Sequence, residues 1–224
     1  MLNIKKLKNK EGKIWLNPAS SIYVLDNFVN FDNHIFIRFI RFYELAKFIL
    51  PKKYHEWLAA YYEASKKATL KKHDCRKNIP LPSNSVDHIL SSHFLEHVFP
   101  EDCERILNNY KDILKPGGTL HIILPDLGKL IRLYNEAKAA NVPNAADILI
   151  KDSLLSKYSI GSFKYRLLEF GGGFGLQHRW MYDYASIHNI VTNMDFEIIQ
   201  NDEKNPSNYF RKDDDSVHIV CRKK

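Results

Sequence analysis

The stretch "HDCRKNIPLPSNSVDHILSSHFLEHVFPEDCERILNNYKDILKPGGTLHIILPDL", residues 73–127, switches between two hydrophobic periods, and that switching decides the fold. Val86-Asp87-His88-Ile89-Leu90 is a short β-type run opened by the turn residues Pro82-Ser83-Asn84-Ser85. From about Glu101 to Leu114 the period lengthens. Ile106, Leu107, Tyr110, Ile113 and Leu114 recur at intervals of three and four, which predicts an amphipathic helix. Lys115-Pro116-Gly117-Gly118 stops it, since proline cannot continue a helix and glycine accepts the left-handed conformation at its end. Thr119 to Leu124 reads as an apolar strand that halts at Pro125-Asp126, and a helix follows over Leu127 to Ala140. Strand, helix, strand, helix at this spacing predicts a parallel sheet covered by helices.

Toward the C-terminus, Tyr182 to Met194 reads as a helix. Phe196–Ile199 and Ser216–Val220 read as strands, an antiparallel closing pair. Toward the N-terminus, Ile14-Trp15-Leu16 and Phe28-Val29-Asn30-Phe31 are strands, the second ending on Asp32. Only ten residues separate Asn17 from Phe28. A parallel crossover normally takes a dozen or more, so the helix between these strands must shrink to a turn or vanish.

At 224 residues the chain is expected to form a single domain over 1–224, with a helical insertion at 35–70 and a variable lid region at 141–175. Its 45% apolar and 26% charged residues are ordinary for a soluble globular protein. Cys75, Cys103 and Cys221 are too few for a disulfide framework, and no pair has zinc-ligand spacing. They point to a reducing, cytoplasmic setting and to no metal. The net charge of +7 is spread over several lysine-rich stretches rather than one face, so specific nucleic-acid binding is not expected.

The longest greasy stretch, Ile35 to Leu50, is about four residues short of a bilayer span and carries Arg38, Arg41, Glu44 and Lys47. On one helical wheel Phe36, Phe39, Phe42, Tyr43, Ala46, Ile49 and Leu50 share an arc, while Ile37, Leu45 and Phe48 fall on the other side. The expectation is one helix packed on the domain or capping a pocket. The alternative is a peripheral contact of 35–50 with a membrane surface or a partner.

The pieces within residues 73–127 closely resemble the class I S-adenosylmethionine-dependent methyltransferases, above all the subgroup associated with surface polysaccharide and other carbohydrate biosynthesis. They are an acid at a strand end (Asp74), the entry "PLPSNSVD", "SHFLEH", "LKPGG" and a strand ending "LPDL". Residues 174–199, "FGLQHRWMYDYASIHNIVTNMDFEII", are similar to a later segment of the same subgroup. The resemblance implies a Rossmann-like α/β fold: a mostly parallel seven-stranded sheet in the order 3-2-1-4-5-7-6, with an antiparallel last strand. It implies S-adenosylmethionine as cofactor and a small-molecule, sugar-containing acceptor.

By that resemblance Asp32 faces the ribose hydroxyls, and Asp74 with the Cys75 backbone meets the adenine. Ser91, Ser92 and His93 run beside the methionyl part. The loop Asn17-Pro18-Ala19-Ser20-Ser21 stands where glycines are usual. A cofactor without phosphates needs small neighbours rather than an anion cradle, which Ala19, Ser20 and Ser21 supply.

An acceptor hydroxyl gains from a general base near working pH, a role that suits histidine. His178 in "QHRWMY" is the favoured base, with Arg179 and Tyr182 orienting the acceptor and Trp180 stacking on a sugar face. His93, His97 and Glu96 are the other candidates. Gly171-Gly172-Gly173-Phe174-Gly175 lacks the Lys-Ser/Thr of a phosphate loop and reads as a lid or hinge. Two other readings compete. One is a non-catalytic module on the same fold, motivated by the altered loop. The other is an RNA or protein methyltransferase, motivated by the charge.

Overall fold

The computed structural model describes residues 4–156, 163, 167, 177–200 and 216–224. Seven strands form one sheet: β1 (Trp15–Pro18), β2 (Val29–Asp32), β3 (Leu70–Lys72), β4 (Val86–Ser92), β5 (Leu114–Pro125), β6 (Phe196–Gln200) and β7 (Ser216–Lys223). Their order is β3-β2-β1-β4-β5-β7-β6. β1 to β5 pair in parallel, whereas β7 runs antiparallel to both β5 and β6. The expected sheet is therefore the observed one.

α3 (Pro100–Ile113) buries Cys103, Ile106, Leu107, Tyr110 and Ile113, the stripe read from its periodicity. Proline at its first turn suits a position whose N–H has no helical partner. Burial of this stripe against Leu16, Ile89, Leu120 and Ile122 makes the main core, which α6 (Tyr184–Asn193) completes with Ile187 and Val191. Lys115–Gly118 does end α3, with Gly117 at φ +77°, but it is also a bulge inside β5. Val86 pairs Leu114 and His88 pairs Thr119, so the extra residues loop out between them. α4 (Leu127–Ala139) and α5 (Ala145–Asp152) follow β5 and pack against each other.

The link from β1 to β2 contains turns and no helix. The buried side chain of Asn30 takes over the work of a helix backbone. Its Oδ1 accepts from Leu25 N–H and from the Asn17 amide, and its amide donates to the carbonyls of Leu25, Phe28 and Thr69. Ser20 N–H donates to the Phe31 carbonyl at 2.8 Å, folding the loop back over the strand ends. Ala19 at φ +55° and Ser21 at φ +51° adopt the left-handed conformation that glycine would take without strain.

The insertion corrects the single-helix reading of 35–50. It is three 3-10 turns (Ile35–Arg38, Ile40–Phe42 and Lys52–Tyr54), the short α1 (Tyr43–Ile49) and α2 (His55–Lys67). The backbone breaks at Phe39 and again at Phe42, which has φ −124° and ψ 41°. Aromatic and β-branched residues crowd this run, and both lose rotamer freedom in a helix. Phe36, Ile37, Ala46, Leu58 and Tyr61 form a small core of their own. Phe42, Leu45, Phe48 and Ile49 stay exposed, Phe48 by 86%. No helix among the described residues is long and apolar enough to cross a membrane. The 171–175 loop lies outside the described residues, as do 157–162, 164–166 and 168–170 of the expected lid region.

Candidate active site

The order β2-β1-β4-β5 places a crevice between β1 and β4, where successive connections leave in opposite directions and ligands of such sheets bind. A cavity of about 260 Å³ sits there, lined by Asn17, Ala19, Ser20, Ser21, Tyr23, Ser92, His93, Glu96, His97, Leu154 and His178. It joins residues of the glycine-free loop to the favoured base. Two short segments build its far wall. The Glu96 carbonyl accepts from Arg179 N–H at 2.7 Å and from Trp180 N–H at 3.1 Å. The His97 ring meets the Gln177 carbonyl at 3.0 Å through Nδ1. His178 is fixed from the α5 side, its N–H on the Leu154 carbonyl and its Nδ1 at 2.7 Å from the Ser153 carbonyl.

Carbonyls only accept, so Nδ1 carries the proton in both rings and each Nε2 keeps its lone pair when the ring is neutral. Burial, outweighing the nearby Glu96, pushes the His178 pKa below its ordinary value. The ring is thus neutral at pH 7 and able to accept a proton. His93 holds φ +49° at the end of β4, with Nδ1 3.5 Å from Glu96 Oε1.

Glu96 is 1% exposed, and neither carboxylate oxygen has a hydrogen-bond partner among the described residues.

The other expected residues stand elsewhere. Asp32 is ringed by the protein's own donors: Ser21 N–H at 3.0 Å on Oδ2, His34 N–H at 2.7 Å and Tyr61 O–H at 3.2 Å on Oδ1. A carboxylate has about four lone-pair directions, so one remains for a ribose hydroxyl rather than the two expected. Asp74 is held by Arg76 in a bidentate pair at 2.9 and 3.0 Å. Burial pushes its pKa up, but the Arg76 contacts together bring it below the ordinary value. The Cys75 side chain is buried, its Sγ 3.3 Å from Ala19 N–H. Pro18 closes β1, and the buried Asn17 amide is spent on Asn30 and the Tyr23 carbonyl.

Ser91 and Tyr182 require correction. Successive strand residues point to opposite faces, so Ser92 reaches the cavity while Ser91 is fully buried. The Tyr182 ring is part of the main core, which rules out a role in orienting an acceptor. The Arg179 guanidinium lies over the Phe99 ring at 5.2 Å, and Trp180 is half exposed. Sequence reasoning missed Asn30, His34, Tyr61 and Ser153 altogether, because their roles depend on loop paths that carry no periodic signal.

Residues 51–122 match the family model described as a methyltransferase domain. No curated protein matches the sequence. Among solved structures, a SAM-dependent methyltransferase from Methanosarcina mazei superposes with a TM-score of 0.53 at 15% identity, over 100% of this chain and 98% of that one. A protein from Pyrococcus horikoshii OT3 does so with a TM-score of 0.51 at 14% identity, over 96% and 84%. The architecture is that of an S-adenosylmethionine-dependent methyltransferase. At these identities the likeness speaks for the fold, and the domain match carries it to the enzyme class and its cofactor, S-adenosylmethionine. The residues present fit the cofactor's methionyl end, with small side chains at Ala19 and Ser20 and acceptors for its ammonium. Its nucleoside end finds one free direction on Asp32.

A larger cavity of about 890 Å³ lies between α4 and α5, lined by residues that include Asp126, Lys129, Leu130, Leu133, Asp147 and Lys151. Leu154 borders both cavities.

Proposed function

We propose that the chain methylates a hydroxyl of a small, sugar-containing acceptor, as a step in surface carbohydrate synthesis in the cytoplasm. The observation that carries this reading is the meeting of the glycine-free loop with Glu96, His97 and His178 around one cavity at the β1/β4 crevice. When bound, S-adenosylmethionine supplies a methyl group on a positively charged sulfur. Ala19, Ser20 and Ser92 border its methionyl end, and Asp32 takes one ribose hydroxyl. Asp74, already paired to Arg76, sits beside the Cys75 backbone on the adenine side. The Glu96–His97–His178 cluster takes up the acceptor's proton, because its two imidazoles present lone pairs held in place by backbone carbonyls.

The acceptor enters through the larger cavity, which adjoins the first at Leu154. The half-exposed Trp180 ring offers a face for a sugar. His178→Asn, which keeps a polar donor and acceptor but loses the basic ring nitrogen, is expected to lower turnover by about 10²–10⁴-fold with cofactor affinity little changed. Undiminished turnover would remove the cluster from the chemistry.

We also propose that the exposed face of the insertion rests on an anionic lipid surface. Phe42, Leu45, Phe48 and Ile49 form its apolar part, and Arg41, Lys47, Lys52 and Lys53 are neighbours in sequence that complement acidic headgroups. Sedimentation with phosphatidylglycerol vesicles should pull down the protein, and neutral phosphatidylcholine vesicles should not. Phe48→Asp should abolish the effect without moving the melting temperature by more than about 1 °C. Equal sedimentation with both lipids would contradict it.

A further inference from the structure

Glu96, His97 and His178 present a further problem once their hydrogen bonds are assigned. The free atoms they turn toward one another are all acceptors: a carboxylate oxygen and two imidazole Nε2 lone pairs. One ligand-capable atom from each residue lies within 4.8 Å of the others, and His97 Nε2 is 3.9 Å from Glu96 Oε1, too far for a hydrogen bond. Three acceptors facing each other repel unless something positive stands between them, and His93 Nδ1, 3.5 Å from Glu96 Oε1, stands at the limit of a hydrogen bond. Glu96 is 1% exposed and its oxygens have no hydrogen-bond partner among the described residues, so water does not offset this charge as it would at a surface.

The geometry points to a divalent transition-metal site, with Glu96, His97 and His178 as its three protein ligands. Two imidazoles and one carboxylate, with a further position open, are a ligand set suited to zinc, cobalt or iron. The support around it matches as well. A metal-bound histidine usually donates its other ring N–H to a carbonyl or carboxylate, which fixes the ring, and here the Gln177 and Ser153 carbonyls do so. Ligand atoms about 2.1 Å from a tetrahedral ion are about 3.4 Å apart, so the cluster would close by roughly an ångström on binding. The open side faces the cavity shared with Ser92 and the 17–21 loop.

This deepens the methyl-transfer reading and rests on it for its purpose. An acceptor hydroxyl bound at the open position becomes more acidic, and its proton is released to water through the cavity mouth. The imidazoles then act as ligands, and the cluster promotes loss of the acceptor's proton through the ion.

The test uses the full-length protein stripped with EDTA and titrated with Co²⁺, whose visible absorption reports imidazole and carboxylate ligation without any turnover. One equivalent should bind, Zn²⁺ should displace it, and Glu96→Gln and His178→Ala should each weaken it by about 100-fold or more. Phe48→Asp, far from the cluster in sequence, serves as a folded control and should bind normally. No saturable Co²⁺ spectrum, or a spectrum unchanged in both cluster variants, overturns the site. S-Adenosylhomocysteine added to the same sample separates the two readings. If it binds the stripped protein while cobalt does not, the metal site falls and methyl transfer stands. If it expels bound cobalt, the cofactor's ammonium is the cation of this cluster and the metal site is again overturned.

Discussion

Asp32 at the tip of β2 and Glu96 in the turn after β4 are both enclosed acids at the same edge of one sheet, and their surroundings are opposite. Asp32 accepts from two backbone N–H groups and from Tyr61, with the His34 ring stacked on Tyr61 at 4.6 Å. Glu96 accepts from none among the described residues. The first carboxylate is therefore mainly part of the fold: it ties the 19–21 loop, the start of the insertion and α2 to the end of β2. The second is left for something that arrives. Helix-free connection of β1 to β2 explains the difference. Without a helix to organise that corner, Asp32 and Asn30 are used to hold it, whereas the β4 side has α3 and a full core behind it and leaves its acid unspent.

Removal of the Asp32 carboxylate should have the largest effect. Asp32→Ala strands two N–H groups and one O–H, at about 1–3 kcal/mol each when enclosed, so urea unfolding should show a loss of about 3–5 kcal/mol. A loss under about 1 kcal/mol would mean that Asp32 is not structural, and the contrast with Glu96 would fail.

Acid probes that corner through His34, and β4 and β5 through His88 and His121. Burial pushes His34 down to about 4, with Lys72 adding to the effect. Burial alone takes His88 to about 4, and burial followed by the neighbouring His218 and His88 takes His121 to about 3. In each case the unfolded chain binds a proton that the folded one refuses, so stability rises with pH through this window. The melting temperature should be flat above pH 7 and fall as pH drops from about 6.5 toward 4. His34→Gln should flatten part of that fall, and an unchanged profile would remove His34 from it.

The smallest effect has the opposite sign. Glu96→Gln in ligand-free protein should raise stability by about 1 kcal/mol, because it replaces an enclosed carboxylate that has no hydrogen-bond partner among the described residues with an amide that can donate to His97. Destabilisation instead would show that Glu96 already has a partner.

Much of this half of the molecule was readable in the sequence. The periods of β4, α3 and β5 are set by burial on one face, and Ile106, Leu107, Tyr110 and Ile113 are buried as their spacing requires. The insertion was misread because apolar spacing alone gives Phe39, Phe42 and Ile49 a common face, yet the backbone breaks at Phe39 and Phe42. In the site, residue types were legible and their state of satisfaction was not. That Asp32 is occupied depends on where the backbone N–H groups of Ser21 and His34 point. That Tyr182 is buried depends on its backbone bridge to Asp126 at the end of β5, which seats the ring in the main core. Glu96 and His97 are neighbours in sequence, but His178 joins them only through the Gln177, Arg179 and Trp180 backbone bonds.

The most direct test is a crystal structure with S-adenosylhomocysteine. The account predicts the homocysteine sulfur in the β1/β4 cavity, within reach of Ser92 and the Glu96–His97–His178 cluster, and one ribose hydroxyl on Asp32. A nucleoside seated instead between α4 and α5, with the β1/β4 cavity closed by the 17–21 loop, would contradict it.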